Sequence, residues 1–261
     1  MSEDLRLSVS KVKTFEQCKK QFEFNYILKF PKKDHSYHIF GKFCHKALEW
    51  FHQQYIDGCL LPYNTTMTDA FKAAWSEYKD KMTPEMKKDC WEILNQYLCG
   101  VSKDKKNGLP FNVIGVEKRF EFPIGDKIIL NGAIDVVRMS ADNVLEVADY
   151  KTTKNKKYLK DDWFQLMTYG MVMLKERPEL KKIRVSYILL RHEFEHLTRE
   201  FSADELISVN QKYIDYAEKI LTEKDYEPNP TALCNYCDFL EHCPAGKAKS
   251  FNQNIYGEVT W

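Results

Sequence analysis

Three charged residues, Asp135, Asp149 and Lys151, are the strongest candidates for chemistry in this chain. They lie in two apolar, β-branched segments, residues 128–138 and 144–151, that are separated by turn formers, a pattern that predicts a β-hairpin. A turn at the midpoint of the connection places Asp135 opposite Asp149, with Cβ atoms about 4.5–5.5 Å apart. Because strand residues two apart share a face, Asp149 and Lys151 should point the same way. The sequence therefore predicts two carboxylates and an ammonium on one patch.

Two carboxylates this close repel each other, so one stays protonated unless a cation lies between them. Hard oxygen donors at this spacing suit Mg²⁺ or Mn²⁺. A divalent ion there acidifies a bound water and neutralises phosphodiester charge, while Lys151 orients the water or stabilises transition-state charge. The competing interpretation is a surface hairpin with an ordinary Asp–Lys ion pair.

Four further side chains are candidates for the same site. His45 lies on a predicted helix over residues 39–55 and could be an extra metal ligand. Glu117, on a predicted strand beside the hairpin, is either a third carboxylate of the site or a solvent-exposed ion-pair residue. Gln165 and Tyr169 are one turn apart on an amphipathic helix and share a face.

A second cluster of candidates lies near the carboxyl end. Cys234, Cys237 and Cys243 form a C-x₂-C-x₅-C pattern followed by proline, in a segment too rich in proline to be one helix. Three thiolates need a fourth donor. Zinc with His242 or Cys18, and a 4Fe-4S cluster with Cys18, are both chemically reasonable.

Composition limits the class of protein. The chain has 261 residues, enough for one large α/β domain, and its net charge of +1 gives no global argument for nucleic-acid binding. The longest basic run, residues 151–160, follows the proposed site directly, although such runs are also typical of solvated loops. No apolar segment approaches the roughly 18–20 residues of a membrane helix, and the amino terminus lacks a secretory signal. We therefore expect a cytoplasmic protein with reduced or metal-bound cysteines.

Periodicity and capping signals predict the order of elements that must position these residues. They give a helix from Ser8 or Ser10 to about residue 28 carrying Cys18, a helix over 39–55, two helices within 66–100 with N-caps at 68–69 and 83–84, a polar connection over 102–110, strands over 113–123, 128–138 and 144–151, a helix over 161–176, strands over 183–191 and 196–201, and a helix from a capping box at 202–205 to 221. This order predicts an α/β protein with a mixed sheet.

Taken together, these features resemble the PD-(D/E)XK nucleases of the RecB-like exonuclease group. In layout the chain is most similar to the iron-sulfur type, represented by the AddB C-terminal nuclease domain and the small CRISPR-associated 4Fe-4S exonucleases. The matching features, in the family's order, are Gly41-x₃-His45, Glu117, Gly132-x-Ile134-Asp135, Asp149-Tyr150-Lys151 and Gln165-x₃-Tyr169. The resemblance extends from Ser8 to Cys243.

The resemblance implies a fold and a domain organisation. The fold is a restriction-endonuclease-like core, a mixed sheet flanked by helices, in a single nuclease domain over residues 1–261. Within it, residues 56–110 form a helical insertion. Residues 8–28 and 226–246 form an iron-sulfur cap that joins the two ends of the chain.

The resemblance also implies a role for each site residue. His45, Asp135, Asp149 and the main-chain carbonyl of Tyr150 would bind the divalent metal, and Lys151 matches the catalytic lysine. The remaining members of the expected catalytic set are Glu117, Gln165 and Tyr169. Cys18 would join Cys234, Cys237 and Cys243 around a 4Fe-4S cluster, with structural zinc as the alternative. One departure is that the family's second acidic residue is often Glu, whereas Asp149 is shorter.

The implied activity is that of a DNA exonuclease dependent on Mg²⁺ or Mn²⁺. It would act on DNA ends or single strands in recombination, repair, or phage- or CRISPR-linked processing, with a helicase, recombination or CRISPR protein as a potential partner. The alternative is a non-catalytic DNA-binding or scaffold subunit of a larger complex.

Overall fold

The computed structural model describes residues 4–106, 112–139, 142, 144–159 and 162–249. The chain divides into two compact units. We call residues 35–120 and 133–209 the core unit, and residues 1–34, 121–132 and 210–261 the terminal unit. Each unit is assembled from segments that are distant in sequence.

The helices and strands follow the predicted order, with some additions. They are β1 (Leu5–Leu7), α1 (Val9–Gln17), α2 (Lys19–Phe22), α3 (Ser36–Ile56), α4 (Tyr63–Tyr78), α5 (Pro84–Lys106), β2 (Asn112–Pro123), β3 (Ile128–Met139), β4 (Leu145–Lys151), α6 (Phe164–Glu176), β5 (Lys182–Leu189), β6 (Glu195–Ser202), α7 (Ala203–Ile207), α8 (Val209–Thr222) and α9 (Pro244–Lys249).

The strands form one mixed six-stranded sheet in the order β1-β3-β4-β5-β6, and β2 also pairs with β3. The β3–β4 and β5–β6 pairs are antiparallel, whereas β4 and β5 run parallel. A parallel pair needs a crossover, and α6 provides it by packing on both strands. The predicted α/β fold, a mixed sheet flanked by helices, is confirmed.

The central hairpin has the predicted register. Val136 lies opposite Ala148 and Met139 opposite Leu145, the alignment that places Asp135 across from Asp149. Of its predicted turn, residues 140, 141 and 143 lie outside the described residues. Strand β4 is buried from Leu145 to Tyr150 because helices pack on both of its faces.

One layer of the core is formed by α3, α4 and α5. Their apolar side chains pack against the face of the sheet that presents Val136, Ala148, Tyr150 and Ile188. These alternate positions of β3, β4 and β5 face the helices because strand side chains point to opposite faces in turn. No helix within the described ranges is long and apolar enough to cross a membrane.

The first predicted helix is interrupted. Ser8 caps α1 as predicted, accepting a hydrogen bond from the Lys11 amide at 3.2 Å. The chain then becomes extended at Cys18 (φ −163°, ψ 113°) before α2 begins. The prediction that Cys18 lies within a helix was wrong, because the residue separates two helices.

Other boundaries also differ from prediction. Helix α4 begins at Tyr63, so the predicted cap at Thr68 lies inside it, where the hydroxyl donates to the Asn64 carbonyl one turn earlier. Thr83 does cap α5, accepting from the Met86 amide. The last predicted helix is two helices that meet at Ser208. Helix α5 runs to Lys106, and the rest of the predicted polar connection lies outside the described residues.

Candidate metal and catalytic site

The candidate site lies in the core unit, where the β3–β4 ladder ends. Asp135 is one residue beyond the last paired residues, Val136 and Ala148. Its Oδ2 accepts a hydrogen bond of 2.9 Å from the main-chain amide of Tyr150. The carboxylate is therefore held by the backbone of the neighbouring strand.

Helix α3 carries His45, whose ring lies beside Asp135 and the carbonyl of Tyr150. Its Nε2 lies 2.9 Å from the carbonyl oxygen of Tyr150, and its Nδ1 lies 3.3 Å from Asp135 Oδ2. Adjacent ligands of an octahedral cation with bonds of about 2.1 Å are about 3 Å apart. The contact between His45 Nε2 and the Tyr150 carbonyl oxygen is a hydrogen bond in which the imidazole N–H donates, and it brings two potential ligands side by side; a cation bound by both would replace this hydrogen bond.

Glu117 completes a group of three potential ligands. One ligand atom each from His45, Glu117 and Asp135 lies within 4.8 Å of the others. Glu117 has φ +43° within β2, a left-handed conformation that is unusual for a residue with a side chain. Such outliers in strands accompany bulges that redirect a side chain, and functional sites are where they concentrate.

Asp149 is held by a neighbouring network. Its Oδ2 lies 2.5 Å from Lys151 Nζ, and its Oδ1 accepts from Gln165 Nε2 at 2.6 Å. Gln165 Oε1 in turn accepts from Lys151 Nζ at 3.1 Å, and Gln165 Nε2 also contacts the Tyr169 hydroxyl at 2.9 Å. Because a lysine only donates, this contact fixes which end of the amide faces Lys151. Asp149 is not a member of the three-residue ligand group above.

Burial and charge shift the pKa values of these groups. Burial, reinforced by the charge of Asp149, holds the pKa of Asp135 well above its usual range. Burial also raises the pKa of Glu117. For Lys151, burial favours the neutral amine, but the charge of Asp149 outweighs it and raises the pKa. Asp135 and Glu117 therefore hold their protons to a higher pH than freely exposed carboxyls do, and a bound cation would oppose this effect.

These donors fit a divalent ion. An imidazole nitrogen, carboxylate oxygens and a main-chain carbonyl are ligands for Mg²⁺ or Mn²⁺, and a bound cation would offset the burial that raises the pKa values of Asp135 and Glu117. The structure brings all eight predicted residues, from His45 to Tyr169, into this region of the core unit. Metal binding and catalysis by these residues stay predictions.

Two residues that support the site were not predicted. Arg191 Nε donates to the Thr152 carbonyl at 3.0 Å, and His192 Nε2 lies 3.1 Å from the Thr153 carbonyl, so both hold the loop that follows Lys151. They lie at the β5–β6 turn, where Glu193 and Phe194 have φ +53° and +62°. Neither residue is Gly or Asn, so the sequence contains no signal for this turn.

The four predicted cysteines come together in the terminal unit. Cys18, Cys234, Cys237 and Cys243 line one cleft. Burial raises the pKa of the Cys237 thiol, and the nearby charges of the other three raise it further. His242 is not among the residues that line this cleft; its ring packs edge-on against Phe30. Of the two predicted fourth donors, the structure thus places Cys18 with the three cysteines.

Two cysteine sulfurs accept hydrogen bonds from the backbone. The amide of Asn229 donates to Cys18 Sγ and that of Thr231 to Cys234 Sγ, both at 3.4 Å. Hydrogen bonds to the sulfurs are a feature of thiolates that hold iron-sulfur clusters. The donor set of four cysteines with amide support therefore fits a metal centre.

Comparison with known proteins identifies the relatives of this chain. The family model of the PD-(D/E)XK nuclease superfamily matches residues 6–244. One of the subunits of the ATP-dependent helicase/deoxyribonuclease from Streptococcus agalactiae, in serotypes Ia, V and III, is 24% identical over 81% of this chain. That match spans only 21% of the length of those relatives.

A solved structure shares the fold. The crystal structure of a candidate exonuclease from Eubacterium rectale aligns with a TM-score of 0.52 and 11% sequence identity. The alignment covers 98% of this chain and 91% of that protein.

Proposed function

Because this chain belongs to the PD-(D/E)XK nuclease superfamily, we propose that it is a divalent-metal-dependent DNA nuclease that acts on DNA ends or single strands. The observation that carries the proposal is the meeting of His45, Glu117 and Asp135 within 4.8 Å, beside the Asp149–Lys151 ion pair. Imidazole and carboxylates beside a buried lysine combine a cation site with a fixed positive charge, and both can stabilise the negative charge that develops when a phosphodiester is hydrolysed.

Each residue has a role in this proposal. His45, Asp135, Asp149 and the Tyr150 carbonyl would hold Mg²⁺ or Mn²⁺, with Glu117 as a further acidic ligand or a base for a coordinated water. The bound ion supplies an acidified water and neutralises charge on the phosphate.

Lys151 places its ammonium at the edge of this site. Asp149 keeps it charged, and Gln165 directs it, so that it can stabilise negative charge on the phosphate or orient the attacking water. Tyr169 contacts Gln165 and limits its rotation, and its own side chain is buried against Phe120.

The cleft lined by four cysteines supports a 4Fe-4S cluster as a second cofactor. Zinc bonds to sulfur are about 2.3 Å, so its four tetrahedral sulfurs lie about 3.8 Å apart. Among the described residues, the cysteine sulfurs form no group of three within 4.8 Å. Each ligand of a cubane cluster binds a separate iron atom, and backbone amides that donate to the sulfurs, as at Cys18 and Cys234, are typical of such ligands. We therefore propose the cluster, with structural zinc as the alternative.

The relatives suggest a setting for the activity. The Streptococcus agalactiae proteins are named as subunits of an ATP-dependent helicase/deoxyribonuclease. We propose by analogy that this nuclease works with a DNA-unwinding partner in recombination, repair, or phage- or CRISPR-linked processing.

Cleavage of end-labelled linear DNA and of circular single-stranded DNA, with Mg²⁺, Mn²⁺ or EDTA, tests the proposal. We expect metal-dependent degradation of the linear substrate, and a loss of about 10²–10⁴-fold for Asp135→Ala and Lys151→Ala. Lys182→Ala is the matched control, because Lys182 is also a strand lysine paired with an acid, Glu200, but is exposed on β5. Equal rates for Lys151→Ala and wild type would contradict the assignment, and cleavage of circles would show an endonuclease.

Metal analysis after purification without oxygen tests the second cofactor. We expect about four iron atoms per chain and a brown protein, both lost in Cys237→Ser. One zinc per chain in a colourless protein would contradict the cluster. Cys99→Ser is the control, since Cys99 is an exposed residue of α5.

A further inference from the structure

Tyr150 faces the candidate site with its backbone and the protein core with its side chain. Its amide donates to Asp135, and its carbonyl oxygen lies 2.9 Å from His45 Nε2. Its side chain, only 3% exposed, points away from Asp149 and Lys151 because strand residues alternate. Contacts that hold the tyrosine side chain therefore also restrain this peptide, in addition to the pairing of Tyr150 with Ile188 on β5.

A chain of buried hydrogen bonds ends on that side chain. The Tyr150 hydroxyl lies 3.0 Å from the Tyr97 hydroxyl on α5, which lies 2.6 Å from His52 Nε2 on α3. Tyr97 is 1% exposed and His52 2% exposed. Burial and the nearby charge of Arg138 lower the pKa of His52 to about 3, so its ring is neutral and one nitrogen can accept a hydrogen bond.

Helix α3 takes part at both ends of this series of hydrogen bonds. His52 lies seven residues after His45, two turns along α3 or about 10.5 Å, on the same face. Helix α3 therefore reaches Tyr150 twice, through His45 at the carbonyl and through His52 and Tyr97 at the hydroxyl. A rotation of the Tyr150 peptide or a shift of α3 along its axis would break one of these links.

We propose that His52 and Tyr97 are positioning residues that hold the Tyr150 carbonyl and His45 next to each other at the cation site. The role rests on the proposed function, because it concerns the same cation site. Neither residue touches the cation. They act as the supporting hydrogen-bond partners of ligands, whose loss commonly lowers metal affinity by about 10–100-fold.

Tyr97→Phe tests this role, because it removes one hydroxyl and keeps the ring that packs against Phe194. The measurement is the dissociation constant of Mn²⁺, read from the free-ion signal in electron paramagnetic resonance, without DNA. We expect about tenfold weaker Mn²⁺ binding. In cleavage assays we expect a higher half-saturating metal concentration with an unchanged maximal rate.

Two further variants separate positioning from stability. His52→Gln keeps a group that can hydrogen-bond Tyr97 and should bind Mn²⁺ nearly as wild type does, whereas His52→Leu should resemble Tyr97→Phe. The control is Tyr55→Phe, since the Tyr55 hydroxyl on the same helix bonds to Leu61 and Thr66 instead. It should leave Mn²⁺ affinity unchanged, whatever it does to the melting temperature.

The outcomes distinguish this role from the proposed function. If Tyr97→Phe and His52→Leu bind Mn²⁺ as tightly as wild type does, only the positioning role is overturned. Wild type that binds no Mn²⁺ would overturn the cation site and this role together. If Tyr97→Phe does not fold, Tyr150→Phe removes the other hydroxyl of the same bond, and the same change in Mn²⁺ affinity is expected.

Discussion

Lys151 shows how neighbours determine what a charged residue can do. Its ammonium is largely removed from water, which costs free energy, and it remains charged because it forms an ion pair with Asp149 and donates a hydrogen bond to Gln165. The Asp149 carboxylate is almost fully buried, so it cannot be rehydrated if Lys151 is lost, whereas the Lys151 side chain is 25% exposed. Breaking such a buried pair from one side commonly costs about 3–5 kcal/mol. We therefore expect variants of either residue to affect folding as well as activity.

The raised pKa of Asp135 leads to a prediction about pH. Above its ordinary value of 3.8 the unfolded carboxyl is ionised, while the folded one stays protonated up to its raised pKa. In that range the folded state binds more protons, so the free energy of unfolding falls as pH rises. We expect Asp135→Asn, which has no such carboxyl, to gain stability over wild type by up to about 1.4 kcal/mol per pH unit in EDTA.

Calorimetric unfolding of both proteins between pH 4 and 8 measures this difference. Divalent metal should reverse the trend for wild type, stabilising it more at high pH than at low pH, and should leave Asp135→Asn nearly unaffected. A difference between the two proteins that stays constant with pH would show that the Asp135 carboxyl is ionised throughout.

At the scale of elements, the sequence predicted those features that depend on residues close together in the chain. The hairpin around Asp135 and Asp149 depends on alternating apolar residues and a turn, so its register was predictable. The break at Cys18 was not, because residues 9–27 have helical periodicity and nothing local opposes a continuous helix. The extended backbone at Cys18 accompanies its distant partner, the amide of Asn229. Likewise, nothing local predicts the positive φ of Glu117.

The positive φ of Glu117 should reverse the usual order of stability of Ala and Gly in a strand. Within a strand, Gly is usually less stable than Ala by about 0.5–1 kcal/mol. At φ +43° a Cβ is strained, so we expect Glu117→Gly to be more stable than Glu117→Ala by about 1 kcal/mol. Urea unfolding in EDTA compares the two, and both lack the carboxylate, so its loss cancels. Arg119 is also on β2 but has no positive φ, so Arg119→Ala should be more stable than Arg119→Gly. If Ala is also the more stable variant at position 117, the backbone of Glu117 is not strained.

At the scale of the whole molecule, the division into units was harder to predict than the site. The site residues could be predicted because motifs and helix faces bring them together over short stretches, and only His45 and Glu117 come from farther away. The terminal unit combines three separate segments, including the start of β3, through contacts between residues distant in sequence. The two segments expected to form the cap, residues 8–28 and 226–246, do fall within one unit. Strand β1, with three residues, is too short to give a periodic signal.

The cysteine cleft predicts where stability should depend on a cofactor. Cys18 is separated in sequence from the other three cysteines by more than 200 residues. A cluster bound by all four would link these two distant segments within the terminal unit. We expect Cys237→Ser to increase amide hydrogen exchange in α1, in α2 and over residues 228–243, because each loses its tether. Protection of α3 and β4 in the core unit should change little, since their stability comes from apolar packing. Cys99→Ser should alter neither region, and an increase spread evenly over the chain would show that the cluster stabilises the protein as one cooperative unit.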